Sequence, residues 1–242
     1  MTGLILVFDL DQTLIDSNSF AKIGNWNHID KYLNMDLVNT ILKPAVRLRE
    51  NKAGVDAIFL LSNNGSSDYV LRVIYSLSFI LGVDNLFDYV MIRTHSSRPR
   101  SENPPKRLSD VKYMLEHALT PISYSDKVNQ KIYIFDDYTK HQIRKELPDD
   151  HYIEIRGPDV DIAGNNMGFI TGKSDLSDYR KIKHVLDTLE SRMKSDVDPP
   201  QLILNDTSDS VSLKKSPFKE YLNGGSRKKR KCKTKCKTRK RF

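Results

Sequence analysis

Leu4-Ile5-Leu6-Val7-Phe8-Asp9-Leu10-Asp11-Gln12-Thr13 is the stretch on which the rest of the chain turns. Five apolar residues break into two carboxylates one residue apart. This is the pattern of a buried strand that delivers Asp9 and Asp11 to its C-terminal end, where α/β proteins keep their chemistry. Neighbouring carboxylates repel, so a buried pair demands a cation, a proton or hydrogen bonds in compensation. If the chain turns after Asp9, the two acids can divide the work, one as nucleophile and the other as proton carrier. Taken alone, such a pair can equally end a strand and face water, so the reading depends on what later segments bring.

Downstream, the apolar run Ala57-Ile58-Phe59-Leu60-Leu61 again stops at polar residues, Ser62-Asn63-Asn64-Gly65. Between these two strands, Asp16 to Lys43 reads as an irregular polar segment with a short helix over 34–42, and a helix opens near Pro44. Apolar positions Val70, Leu71, Val73, Ile74, Leu77, Ile80 and Leu81 follow a helical period with a wide buried face that Gly82 ends. A third strand is expected over 87–92, and an Arg-, Ser- and Pro-rich loop runs from Thr94 to Pro105. Lys106 then stands at the mouth of a helix, where an anion is favoured over a cation, so an anionic ligand close by would resolve the conflict. The fourth strand, over 131–135, ends in Asp136-Asp137. A helix over 138–147, a fifth strand over 151–155, a Gly-rich loop and a last helix over about 177–193 follow. This alternation predicts a doubly wound, Rossmann-like parallel sheet of five strands with helices on both faces.

The set Asp9, Asp11, Thr13, Ser62, Lys106, Asp136 and Asp137, in this order, resembles the haloacid dehalogenase (HAD) superfamily of phosphotransferases across residues 4 to roughly 190. The resemblance implies that Asp9 attacks phosphorus to form an aspartyl-phosphate, while Asp11 protonates the leaving oxygen and later activates water. It implies phosphoryl-binding roles for Thr13, for Ser62 and for its neighbour Asn63, with Asn64 an equal candidate in that loop, and a charge-neutralising role for Lys106. Lys112 and Arg107 are the alternatives to Lys106. Mg²⁺ would be held by Asp9, the backbone carbonyl of Asp11 and one of Asp136 and Asp137, with Asp137 preferred. An oxygen-only site that retains water suits Mg²⁺. The six histidines show no metal-ligand spacing and receive no role.

Members of this family close inserted caps over small substrates. Only short stretches separate the motifs here, so a large cap is not expected, although 16–43 could serve as a small lid. An open site is similar to those of capless members acting on phosphoproteins or nucleic-acid ends, and Gln12 stands where small-molecule phosphatases carry Gly. The second motif lacks the form found in RNA polymerase tail phosphatases. The expected substrate is therefore a phosphorylated macromolecule, a phosphoprotein first and a nucleic-acid 3′-phosphate end as the alternative. A non-catalytic HAD-fold scaffold associated with nucleic acid is the competing class. Trp26 packs on the domain or against a substrate.

The net charge of +8 belongs to one end of the chain: Gly224 to Phe242 holds eleven Lys or Arg and no acid, and subtracting these leaves residues 1–223 at −3. Three parts are therefore expected: a catalytic domain (1–193), a flexible linker with Pro199-Pro200 (194–223) and a disordered polybasic tail (224–242). The tail, residues 226–242, fits non-specific nucleic-acid binding or nuclear import. Polybasic tails on compact enzymes are also similar in style to proteins of large DNA viruses. The two cysteines, Cys232 and Cys236, lie in the tail, which argues against a disulfide framework and for an intracellular, cytoplasmic or nuclear setting. Neither a secretory leader nor a membrane span is expected.

Overall fold

A computed structural model describes residues 3–99, 104–138, 140–157, 167–171 and 180–195, all within one compact unit, Met1–Asp198. The expected linker from residue 196 onward and the basic tail lie outside the described residues, as does most of the Gly-rich loop.

Five strands, β1 (Leu4–Phe8), β2 (Val55–Leu61), β3 (Tyr89–Met91), β4 (Ile132–Asp136) and β5 (Tyr152–Glu154), form one sheet in the order β3-β2-β1-β4-β5. Every pairing is parallel. Parallel strands need crossover connections, and these supply the helices: α1 (Ser17–Ile23), α2 (Met35–Leu37), α3 (Lys43–Glu50), α4 (Ser67–Leu81), α5 (Leu108–His117), α6 (Asp126–Asn129), α7 (Ile143–Glu146) and α8 (Arg180–Ser195). Strand alternation sends Leu6 and Phe8 of β1 into one apolar layer with Leu37, Ile41, Val73 and Leu77. Ile5 and Val7 enter the other, against Val111, Met114 and Leu115 of α5. Helices therefore cover both faces, and Ile5 to Phe8 are fully buried. Each such side chain contributes about 1.5–3 kcal/mol relative to an exposed one.

The strand order reverses at β1, which creates a crevice beyond the C-terminal ends of β1 and β4. Register decides what meets there. Phe8 pairs with Phe135, their rings stack at 4.7 Å, and the Asp9 amide donates to the Phe135 carbonyl at 2.8 Å. The next residues along, Asp9 and Asp136, are thus brought side by side.

Several local expectations need correction. Residues 16–43 are ordered rather than irregular. Asp16 caps α1 through the Ser19 amide at 3.0 Å, a 3-10 helix spans Trp26–Tyr32, and α2 runs through a π turn, Val38–Leu42, into α3. The segment packs Phe20, Ile29 and Leu33 into the core. Trp26 lies edge-on to Phe20 at 4.7 Å with Arg72 at 5.4 Å from its ring, so it packs on the body of the domain. The helix expected over 138–147 shrinks to Ile143–Glu146, because the Tyr138 amide donates to Asp136 Oδ1 and the Tyr138 carbonyl is taken by the Tyr152 hydroxyl. The third strand is shorter as well, since the Asp88 carboxylate accepts the Ile58 amide and ends the ladder early. In contrast, α4 follows its periodicity from a Ser66 cap to Gly82 at φ +69°.

Candidate active site

A pocket of about 250 Å³ opens at the reversal point, lined by Asp9, Asp11, Asn63, Lys106, Asp137 and His141 among others. Its floor is an ion cluster. Lys106 Nζ lies 2.6 Å from Asp9 Oδ1 and 2.6 Å from Asp136 Oδ2, and all three residues are buried. Lys106 reaches it from the residue pair preceding α5, the helix covering the Asp9 side of the sheet. Its competitor Lys112 points elsewhere, with Nζ 4.0 Å from the ring of Tyr124.

Burial pulls the Lys106 ammonium down, and the two carboxylates outweigh it and hold it above its usual range. Burial drives Asp9 well above the ordinary carboxylate range. Lys106 opposes that rise, while Asp136, Asp137 and Asp11 add to it. Burial, then Asp136, pushes Asp137 up to about 7. One ammonium thus faces three carboxylates, an arrangement short of positive charge. One oxygen from each of Asp9, Asp136 and Asp137 can lie within 4.8 Å of the others. This donor set fits a hard divalent cation, which would relieve the same charge imbalance.

Asp11 belongs to a different environment. Beyond β1 the chain folds into a tight loop in which the Gln12 amide donates to the Ile15 carbonyl at 2.8 Å, and Gln12 adopts φ +56°. The Asp11 carboxylate accepts from Asn64 Nδ2 at 3.1 Å. Burial raises its pKa despite that bond, which favours the protonated form a proton donor needs.

Thr13 and Ser62 are fully buried and do not line the pocket. The Thr13 hydroxyl has no hydrogen-bond partner among the described residues, and Ser62 Oγ accepts the Asn64 amide at 3.0 Å. Asn63 does line the pocket, and its Oδ1 accepts from Arg98 Nη2 at 2.8 Å.

Three contributors went unpredicted. Arg98 donates to the Ser62 carbonyl at 2.9 Å and to the Pro104 carbonyl at 3.3 Å, which ties the Ser62 loop to the segment leading into Lys106. Nothing in its Arg-rich loop distinguishes it from its neighbours. His141 Nδ1 accepts the Lys106 amide at 3.3 Å, while Nε2 lies 3.8 Å from Asp136 Oδ2. Burial pulls this imidazole down to about 4, so it is neutral. Its spacing from Asp136-Asp137 was the available signal. Gln12, noticed only for standing where small-molecule phosphatases carry Gly, bonds to residues 167 and 169.

Among the described residues, no helix is long and apolar enough to cross a membrane. Compared with known proteins, the chain matches no family model, no curated protein and no solved structure.

Proposed function

We propose that this chain is a Mg²⁺-dependent HAD-type phosphomonoester hydrolase working through an aspartyl-phosphate on Asp9. The observation that carries this reading is the buried Asp9, Lys106 and Asp136 cluster, with Asp137 alongside and Asp11 lining the same pocket. A pure scaffold gains nothing from so much buried, incompletely compensated charge.

In the proposed reaction an Asp9 carboxylate oxygen attacks phosphorus. The bond to the leaving oxygen breaks, and that oxygen takes the proton carried by Asp11. Water then attacks the phosphorus of the aspartyl-phosphate, Asp11 accepts its proton, inorganic phosphate departs and the Asp9 carboxylate is restored. Lys106 neutralises charge throughout, and Asn63 offers its amide to the phosphoryl group. Mg²⁺, when held by Asp9 and Asp137 with the Asp11 carbonyl, supplies the charge that lets a carboxylate approach an anionic phosphate. Asp136 already spends an oxygen on Lys106.

The substrate class we favour is a phosphorylated macromolecule, a phosphoprotein before a 3′-phosphorylated nucleic-acid end. Residues 16–43 support this, since they pack into the core rather than adding a separate cap. Residues 226–242 would add attraction to nucleic acid or nuclear import in an intracellular setting.

Hydrolysis of an aryl phosphate with Mg²⁺ or EDTA, comparing wild type with Asp9→Asn, tests the chemistry. Release that needs Mg²⁺ and disappears in Asp9→Asn is expected. Release unaffected by the substitution would sink the nucleophile assignment. Failure to turn over aryl phosphates, phosphopeptides and 3′-phosphorylated oligonucleotides alike would favour the scaffold class.

A further inference from the structure

Residues 167–171 lie against the pocket from the far end of the chain, and Gln12 holds them. The carboxamide uses its full bonding capacity. Nε2 donates to the Phe169 carbonyl at 2.9 Å and the Met167 carbonyl at 3.4 Å. Oε1 accepts from Ser17 Oγ at 3.0 Å and the Asn18 amide at 3.1 Å. The Gln12 carbonyl also accepts the Phe169 amide at 2.6 Å. A second tie stands four residues on, where Asp16 Oδ2 accepts from the Thr171 amide and hydroxyl at 3.0 and 3.1 Å.

Between the two residues that Gln12 holds sits Gly168 at φ +68°. A Cβ there would fall 2.6 Å from the Gln12 carbonyl oxygen and 2.7 Å from Asp137 Cβ. The strap backbone thus touches the side chain of a carboxylate on the pocket floor. Gln12 accepts a left-handed conformation that glycine would adopt without strain. The glycine would lose all four side-chain bonds.

We propose that residues 167–171 form a strap latched by Gln12 and Asp16, and that Gln12 is a positioning residue that holds Asp137 in place through Gly168. The metal-binding part of this inference rests on the function proposed above, whereas the latch does not. Gln12→Glu keeps the acceptor for Ser17 and Asn18 and removes both donors to the strap. Gly168→Ala pushes the strap away from Gln12 and Asp137, since the added Cβ would also fall 2.7 Å from Gln12 Cβ. Gln12→Gly relieves backbone strain, so it folds even if bulk at this position matters little.

The full chain is read in two ways: hydrogen exchange of the peptide covering 167–171 without metal, and Mg²⁺ affinity by calorimetry, with the melting temperature alongside. All three variants are expected to speed strap exchange about tenfold and to weaken Mg²⁺ binding about tenfold or more, as loss of a ligand's supporting partner does. Gln12→Gly melts near wild type. Unchanged strap exchange in Gln12→Glu overturns the latch. Released straps with wild-type Mg²⁺ affinity overturn the positioning role. Failure of the Mg²⁺ site proposed above looks different, because the wild type itself would then bind no Mg²⁺, and failure of the phosphatase reading shows in turnover and leaves strap exchange as it is.

Discussion

Lys106 and Arg98 are both buried cations, 2% and 4% exposed, yet they make opposite kinds of bond. On the pocket floor Lys106 places a compact charge between two carboxylates at 2.6 Å each. At the rim Arg98 spreads its planar fork over the Ser62 and Pro104 carbonyls and the Asn63 side chain, with Asp110 Oδ2 at 3.7 Å from Nε. Burial pulls the Arg98 guanidinium down, with Asp110 and Asp9 opposing. The floor therefore stores charge, and the rim fixes geometry. A point charge suits the first task and a directional fork the second.

The contrast breaks most sharply at Lys106. Lys106→Met leaves Asp9 and Asp136 facing each other without their ammonium, at a cost of about 3–5 kcal/mol in stability. We expect the proposed phosphatase activity to fall about 10²- to 10³-fold. Added Mg²⁺ should restore part of the melting temperature by supplying positive charge to the same cluster. Lys106→Arg should not restore activity, since the fork cannot take the place of a compact charge. A variant with wild-type kcat would remove Lys106 from the chemistry.

A smaller effect is expected at the rim. Arg98→Lys keeps the charge but lacks the fork, so it should destabilise by about 1–3 kcal/mol through unpaired buried acceptors. It should raise KM more than it lowers kcat, because Asn63 loses its anchor while Asp9 and Lys106 keep theirs. An equal fall in kcat with unchanged KM would move Arg98 from the rim to the floor.

The smallest effect belongs to Asp16 and appears only in acid. Burial pushes this carboxyl up, but bonds from Thr171 and Ser19 outweigh it and hold it below the usual range. Its contribution to stability is therefore present above about pH 3.9, the ordinary value for aspartate, and is lost as the pH falls through the lower folded value. Asp16→Asn should melt below wild type at neutral pH, with the gap closing below about pH 3.9. A gap independent of pH would show that the carboxylate charge contributes nothing to the tie with Thr171.

The two regions also differed in how far they could be read in advance. The acids of the floor were legible because they end strands. A continuous apolar run, buried on both faces and broken by acids, announces both the strand and the position of its acids. Parallel pairing of Phe8 with Phe135 then leaves Asp9 and Asp136 no choice but to be neighbours. Residues 16–43 were harder, because α1, the 3-10 helix Trp26–Tyr32 and α2, started by Asp16, Asn25 and Asn34 caps, are too short to show a sustained period.

The sequence by itself determined the parallel α/β architecture, the strand ends that carry acids, and the extent and stop of α4, because each depends on local periodicity or a local cap. Tertiary structure alone decided that Lys106 rather than Lys112 reaches Asp9, that Arg98 grips the Ser62 loop, and that Gln12 holds Phe169 across 157 positions. Most of these rim bonds end on backbone carbonyls, which every residue possesses. Only the folded path of the chain selects which carbonyl a side chain meets.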